Sequence, residues 1–298
     1  VFIDGDRVES VADDPRLAPG IRAVGVTYDF AQRVEFGGLM LAEQQTSGKQ
    51  VKRMLHINRH TEDLLSKLEA VRLLCRESGC AQRYLTHDAL NAIFQSTHRL
   101  DENQGSGEYL ERFLAYLHGV QDKDLTLGVA MTDAKGERSL RPHSQSNPDT
   151  YVHIVERRSD GIVISGTKAI VTGAPYMHEL LVMPCRTMIE ADADFAVCCA
   201  VPLDVAGLTI ISRVAGRPGE ADAKFSAKYG QSTAVCQFDK VFVPWDRVFM
   251  AGEWEHTEHL VTSYANHHRH SCIGARAGFG VLLIGAGSLM TEANGLDI

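Results

Sequence analysis

Apolar positions along the chain change their period twice. Over the first 120 residues they fall at helical spacing, and this stretch reads as helical. Leu64, Leu65, Leu68, Val71 and Leu74 recur three or four apart behind Thr61-Glu62-Asp63, an N-cap followed by first-turn acids that complement the helix dipole. Gly79 interrupts the pattern near Cys80. A second helix is predicted to start at Thr86, with Asp88 in its first turn and Leu90, Ile93, Phe94 and Thr97 on one face. A third is predicted over Glu108 to Leu117, with Leu110, Phe113, Leu114 and Leu117 apolar.

After Asp124 the period shortens. Tyr151 to Val155 and Ile162 to Ile164 flank a Ser159-Asp160-Gly161 turn and read as strands. Leu180 to Met183, Phe195 to Val201, Leu208 to Ser212 and Thr233 to Val243 are further β-rich runs, closed by Pro244 and Asp246. Short strands at this spacing predict an antiparallel sheet domain. Gly216 to Lys228 is polar and aperiodic, a surface excursion.

From about Glu258 to Asn294 the helical period returns. Leu260, Tyr264, His268, Cys272 and Ala275 line one face, and Gly278-Phe279-Gly280 reads as close helix packing. Val281 to Ala286 is apolar nearly all round, which predicts burial on every side, yet no further helices follow to bury it. The expected organisation is an N-terminal helical domain (1–122), a middle β domain (123–254) and the first helix of a truncated bundle (255–298). The chain opens at Val1 and stops at Gly295-Leu296-Asp297-Ile298, so a fragment at both ends is expected.

Composition narrows the classes. Of 298 residues 44% are hydrophobic and 23% charged, with net charge −8, ordinary globular usage. An acidic chain is a poor binder of nucleic acid or anionic membranes, which need a basic surface. No stretch of 18 apolar residues runs without a charge, and no secretory segment opens the chain, so no membrane span is expected. Seven cysteines, an odd number set in apolar stretches, fit a reduced, cytoplasmic protein.

Three features offer chemistry. In His267-His268-Arg269-His270-Ser271-Cys272, His268 and Cys272 share a helical face and could ligate a metal with Cys80. Zinc sites use short local spacings that are missing here, so the plainer reading is preferred: His268 packs against a cofactor or helix, and Cys272 is core. Val129 to Arg138, followed by Ser144-Gln145, is a strand ending in a polar loop suited to a flat anionic ligand or phosphate. An ordinary strand-to-loop transition would look the same. Gly166 to Ala174 is a strand with small residues at its end, where a planar ring can approach and Thr172 can offer its hydroxyl and N–H. A half-buried strand with an outward Thr is the alternative.

These pieces together resemble the family of flavin-dependent 4-hydroxyphenylacetate 3-monooxygenase (oxygenase component) and 4-hydroxybutyryl-CoA dehydratase. The resemblance covers nearly the whole chain, in Cys80-Ala81-Gln82-Arg83, Asp88 to Ala92, Ala130 to Gly136, Lys168 to Gly173, Phe238 to Pro244, His268-Arg269 and Leu283 to Ala286. It implies an α+β, acyl-CoA dehydrogenase-like fold and a homotetramer. It also implies FAD held by Met131, Thr132, Asp133, Arg138, Gln145 and Thr172, with His268, Arg276 and Gln82 as catalytic candidates.

Within the family the chain is more similar to the dehydratase branch, which carries a [4Fe–4S] cluster on three Cys and one His. By position Cys80 and His268 are retained, whereas Tyr84 and Ala275 stand at the other two places. Thr233, Cys272 and Arg276 replace that branch's Glu, Tyr and Lys. Clusters need a near-complete thiolate set, so no intact cluster and no metal site is expected. The resemblance then implies flavin chemistry alone: FADH₂ from a separate flavin reductase, reacting with O₂ to hydroxylate an aromatic small-molecule substrate. The Arg, Tyr and His that the aromatic hydroxylases use on their phenol lack counterparts, Val129 standing where the His falls. The alternative is a dehydratase/vinylacetyl-CoA isomerase-like enzyme acting on an acyl-CoA.

Overall fold

The computed structural model describes residues 1–44, 46–80 and 82–296; Gln45, Ala81, Asp297 and Ile298, and with them one residue of the Cys80-to-Arg83 motif, lie outside the described residues. The N-terminal part runs β1 (Phe2–Ile3), β2 (Asp6–Arg7), α1 (Ala18–Gln32), α2 (Gly37–Met40), β3 (Leu41–Glu43), β4 (Gln50–Lys52), α3 (Thr61–Ser78), α4 (Tyr84–Gln104) and α5 (Glu108–Asp122). The middle holds β5 (Leu127–Ala130), β6 (His153–Arg157), β7 (Gly161–Thr172), β8 (Glu179–Val182), β9 (Val197–Pro202) and β10 (Leu208–Ser212). Then come α6 (Lys224–Lys228), β11 (Thr233–Pro244), β12 (Val248–Ala251) and the long α7 (Thr257–Ala293).

The middle strands, joined by β1 and β2 from the N-terminal part, form a six-stranded sheet, β2-β1-β10-β11-β7-β6, packed on a four-stranded sheet, β12-β9-β8-β5. Strand β9 shows why its sequence is apolar without alternation. Val197, Cys199 and Val201 face the six-stranded sheet, while Cys198 and Ala200 face the core shared with α4 and α5. A strand buried on both faces has no polar side to show. The adjacent cysteines therefore belong to two different cores.

Four expectations need correction. Most ladders are antiparallel as predicted, but β1 pairs parallel with β10 and β5 with β8. The first 120 residues are not helical throughout, because Phe2–Ile3 joins the six-stranded sheet and β3 and β4 form a hairpin. Helix starts shift by one or two residues. Thr61 is the first helical residue and His60 the cap, with the Asp63 carboxylate accepting from the backbone N–H of Arg59 and His60. The next helix begins at Tyr84, and Thr86 instead ties it to β5 by donating to the Leu127 carbonyl at 2.7 Å.

The fourth correction concerns α7. Its first half packs on α3 with glycines at the crossing. A Cβ on Gly278 would stand 2.2 Å from the Arg72 carbonyl oxygen, and one on Gly274 2.5 Å from that of Leu68. The apolar second half is not buried on every side: Val281, Leu283, Ile284, Leu289 and Met290 are exposed. By length and composition α7 also passes as a membrane span, with a mean hydropathy of 1.6 over 18 residues. A search for an unbroken apolar run misses it.

Candidate active site

A cavity of about 420 Å³ opens between the sheets and α7. Val129, Met131 and Thr132 line it from the end of β5, and Ile170 and Thr172 from the end of β7. Cys80, Tyr84 and Gln231 line it as well, and Tyr264, His268, Cys272 and Arg276 reach it from α7 at successive steps of four. Four-residue steps keep these side chains on one helical face.

The β wall is shaped by a bulge. Ala234 pairs with Val171 but Cys236 with Lys168, so two residues of β7 oppose one of β11. Ile170, inside the bulge, takes φ +59 and is 71% exposed. A β-branched residue at positive φ is strained, and the bulge turns it onto the cavity rim. Behind this wall Lys168 pairs with Asp133 at 2.8 Å and donates to the Met131 and Met183 carbonyls. Asp133 also accepts from Val152 N–H at 3.0 Å.

The helical wall centres on His268. Its ring stacks between Tyr264 (5.6 Å, 6°) and Tyr84 (6.1 Å, 23°). Its Nδ1 lies 3.4 Å from Asp88 Oδ2, and its Nε2 3.5 Å from Cys272 Sγ. Asp88 has no exposed surface; Ser271 donates to its Oδ1 at 2.6 Å and Lys67, also buried, approaches at 3.4 Å. Burial pushes the Asp88 carboxyl up, but hydrogen bonds from His268 and His87 and the Lys67 charge outweigh it and hold the group at about 2.

Burial pushes the Cys80 thiol up to about 12 and raises the Tyr84 and Tyr264 phenols. Cys272 is raised by burial and by the Asp88 charge, against the opposing Arg276. The cavity's thiols and phenols are thus neutral at neutral pH. Among the described residues no group of three or more His, Cys, Asp or Glu side chains is placed to hold a metal ion.

Residues 1–250 match the model of the 4-hydroxyphenylacetate 3-hydroxylase N-terminal family. The chain belongs to this family. It is 37% identical to the 4-hydroxybutyryl-CoA dehydratase/vinylacetyl-CoA-Delta-isomerase of Clostridium aminobutyricum, covering 99% of this chain and 61% of that protein. It is 26% identical to the 4-hydroxyphenylacetate 3-monooxygenase oxygenase component of Thermus thermophilus, over the whole chain and 62% of that protein. The solved oxygen-tolerant 4-hydroxybutyryl-CoA dehydratase from N. maritimus superposes with a TM-score of 0.94 at 37% identity, covering 99% of this chain and 59% of that one. The chain thus spans about three fifths of the length of these relatives. The fold is α+β and acyl-CoA dehydrogenase-like, with a helical N-terminal region, a β middle and a C-terminal helix.

In this member of the 4-hydroxyphenylacetate 3-hydroxylase family, Met131, Thr132, Thr172, His268 and Arg276 line this one cavity. Four other candidates are placed elsewhere. Asp133 is committed to Lys168 behind the β wall. Arg138 is exposed on the following loop, where Gln145 braces the turn by accepting from Glu137 N–H and donating to its carbonyl. Gln82 is buried, donating to the Gly230 carbonyl and accepting from the Tyr176 hydroxyl; it supports the turn after Thr172. Of the two residues at cluster-ligand places, Tyr84 lines the cavity and Ala275 packs toward the core of α1 and α3.

Sequence reasoning missed Ile170, the tyrosine sandwich and the Asp88–Lys67 pair. Asp88 read as a first-turn acid, whereas it is the fifth residue of α4, beneath α7. Its place between Ala89-Leu90 and His87 on a helix predicted to be apolar was the available signal.

Proposed function

We propose that the full-length protein binds FAD in this cavity and is the oxygenase of a two-component monooxygenase that hydroxylates an aromatic ring. The carrying observation is the convergence of Met131, Thr132 and Thr172 on one wall with His268 and Arg276 on the other. Apolar surface from Val129, Met131 and Ile170 with two hydroxyls suits the edge of a flat conjugated ring. Reduced FAD, delivered by a separate flavin reductase, supplies the activation of O₂. The chain's own residues do the rest. Arg276 attracts the negative charge of a phenolate, His268 Nε2 takes or returns the ring's proton, and Tyr84 and Tyr264 fix that imidazole and exclude water.

No intact [4Fe–4S] cluster belongs to this reading. Tyr84 and Ala275 cannot serve as thiolate ligands, which leaves the set short of the near-complete thiolate shell that such clusters need. The reading also includes a cytoplasmic homotetramer, supported by the cysteine usage and by the exposed apolar half of α7. The test is flavin retention and turnover in the full-length protein. FAD absorbance should survive desalting, and FADH₂ with O₂ should convert a phenolic substrate to a catechol. A protein that binds no flavin would end the proposal.

A second reading is favoured by the 37% identity and TM-score of 0.94 to the dehydratases: dehydration or isomerisation of an acyl-CoA. Near-stoichiometric iron and sulfide after anaerobic purification would select it over hydroxylation.

A further inference from the structure

Three groups on the helical wall are joined in series. Cys272 Sγ lies 3.5 Å from His268 Nε2, and His268 Nδ1 lies 3.4 Å from Asp88 Oδ2. Asp88 is wholly buried and carries Ser271 and Lys67 on its other oxygen, so it is held as a carboxylate. A carboxylate only accepts, which places the imidazole proton on Nδ1 and leaves the Nε2 lone pair for the Cys272 S–H. The stacked tyrosines stop the ring from turning away. Nucleophile, base and orienting carboxylate in this order let the base take the proton from a neutral thiol as it attacks, on any fold. Hydroxylation has no use for Cys272.

We propose that Cys272, His268 and Asp88 form a thiol nucleophile, its base and a positioning carboxylate, which accept an acyl group from a thioester. Thioesters suit this set because exchange of one thioester for another is close to balanced and replaces thiol with thiol. The Cys272 proton moves to His268 Nε2 as sulfur attacks the thioester carbonyl. The carbon–sulfur bond to the donor thiol then breaks, and the proton passes from His268 to the departing thiolate. The products are S-acyl-Cys272 and a free thiol, with nothing oxidised or reduced. Arg276, one turn further along α7, lends positive charge to the carbonyl oxygen during attack. This activity is independent of flavin.

Acetyl-CoA with the full-length protein tests it. Intact mass and peptide mapping should show one acetyl group on Cys272, absent in Cys272→Ala. His268→Gln should slow its formation at least tenfold while leaving the fold intact, since that side chain borders the cavity. Iodoacetamide gives a second readout: Cys272 should outpace Cys80, which lines the same cavity with Gln231 Oε1 as its hydrogen-bond partner. His268→Gln should remove that advantage. The paired Lys67→Met/Asp88→Asn variant, which leaves no unpaired buried charge, should slow Cys272 alkylation but not that of Cys80. An acetyl group that fails to form, forms equally on Cys80, or forms as fast in His268→Gln overturns the proposal.

Discussion

Each wall of the cavity hides a lysine–aspartate pair, and the two pairs do different work. Behind the β wall Lys168 and Asp133 are closed: the ammonium also satisfies two carbonyls and the carboxylate takes a backbone N–H. Behind the helical wall Lys67 and Asp88 are open, because Asp88 also holds Ser271 and the cavity-facing His268. A closed pair fixes backbone in place, here the Met131–Asp133 loop. An open pair transmits its charge to a group that ligands can reach. Buried charge is therefore structural on one side of the cavity and chemical on the other.

The largest expected effect comes from breaking the closed pair. Lys168→Met leaves the Asp133 carboxylate buried without its cation, which costs about 3–5 kcal/mol. Denaturant unfolding should show that loss, and flavin retention should fall with it as the loop loosens. Lys67→Met should cost less, because Asp88 keeps Ser271, His268 and His87 as partners. Equal losses for the two variants would erase the distinction between the walls.

Acid should weaken the helical wall first. Burial and the nearby Lys67 hold the folded His87 and His267 imidazoles down at about 4, against an ordinary 6.5. The unfolded chain then takes up protons before the folded one does, so stability falls as pH drops from 6.5 towards 4. For an imidazole as buried as His87 the loss approaches about 3 kcal/mol. Asp88, held near 2, adds a further loss between its ordinary 3.8 and that value. Urea unfolding at pH 7, 5.5 and 4.5 reads the slope, and His87→Asn should flatten it.

How far the sequence revealed this contrast depends on the interaction involved. The strand runs and the limits of α7 were legible because burial leaves a period, as at Leu208 to Ser212, where prediction and strand coincide. The parallel pairing of β1 with β10 was not, since two residues carry no period and their partner lies about two hundred positions away. At the site the same line divides the residues. His268 and Arg276 follow a helical step, so their shared place on the cavity wall was legible; Asp88 acts across α4 and α7, and a spacing within one helix cannot express that. Asp133 and Gln82 carried the right chemistry in the right neighbourhood, but Lys168 and Tyr176 engage them before the cavity does.

A milder perturbation separates the helical wall from its support. Gly278→Ala sets a methyl against the Arg72 carbonyl, so α7 must shift away from α3. Overpacking of this kind costs about 1–3 kcal/mol. Because Cys272 and His268 lie one to three turns before the crossing, their 3.5 Å contact should loosen as well. The melting temperature and the Cys272 alkylation rate should fall together, whereas Gly280→Ala, inside the same helix with open space around it, should leave the alkylation rate unchanged and raise stability by about 0.5–1 kcal/mol.

The smallest effect has the opposite sign. Ile170 holds a positive φ that only glycine adopts without strain, and its side chain is mostly exposed, so folding gains little from it. Strain at a non-glycine residue of this kind costs about 1–3 kcal/mol. Glycine relieves it but gives up about 0.5–1 kcal/mol to its greater freedom when unfolded. Ile170→Gly should therefore stabilise the protein by about 1 kcal/mol in denaturant titration. The same change strips apolar surface from the cavity rim, so flavin should wash off more readily on desalting. Stability up with flavin retention down would mean that the β wall, though closed electrostatically, keeps strained backbone for its ligand. A variant that is less stable and holds flavin as before would show the bulge to be structural, like the ion pair behind it.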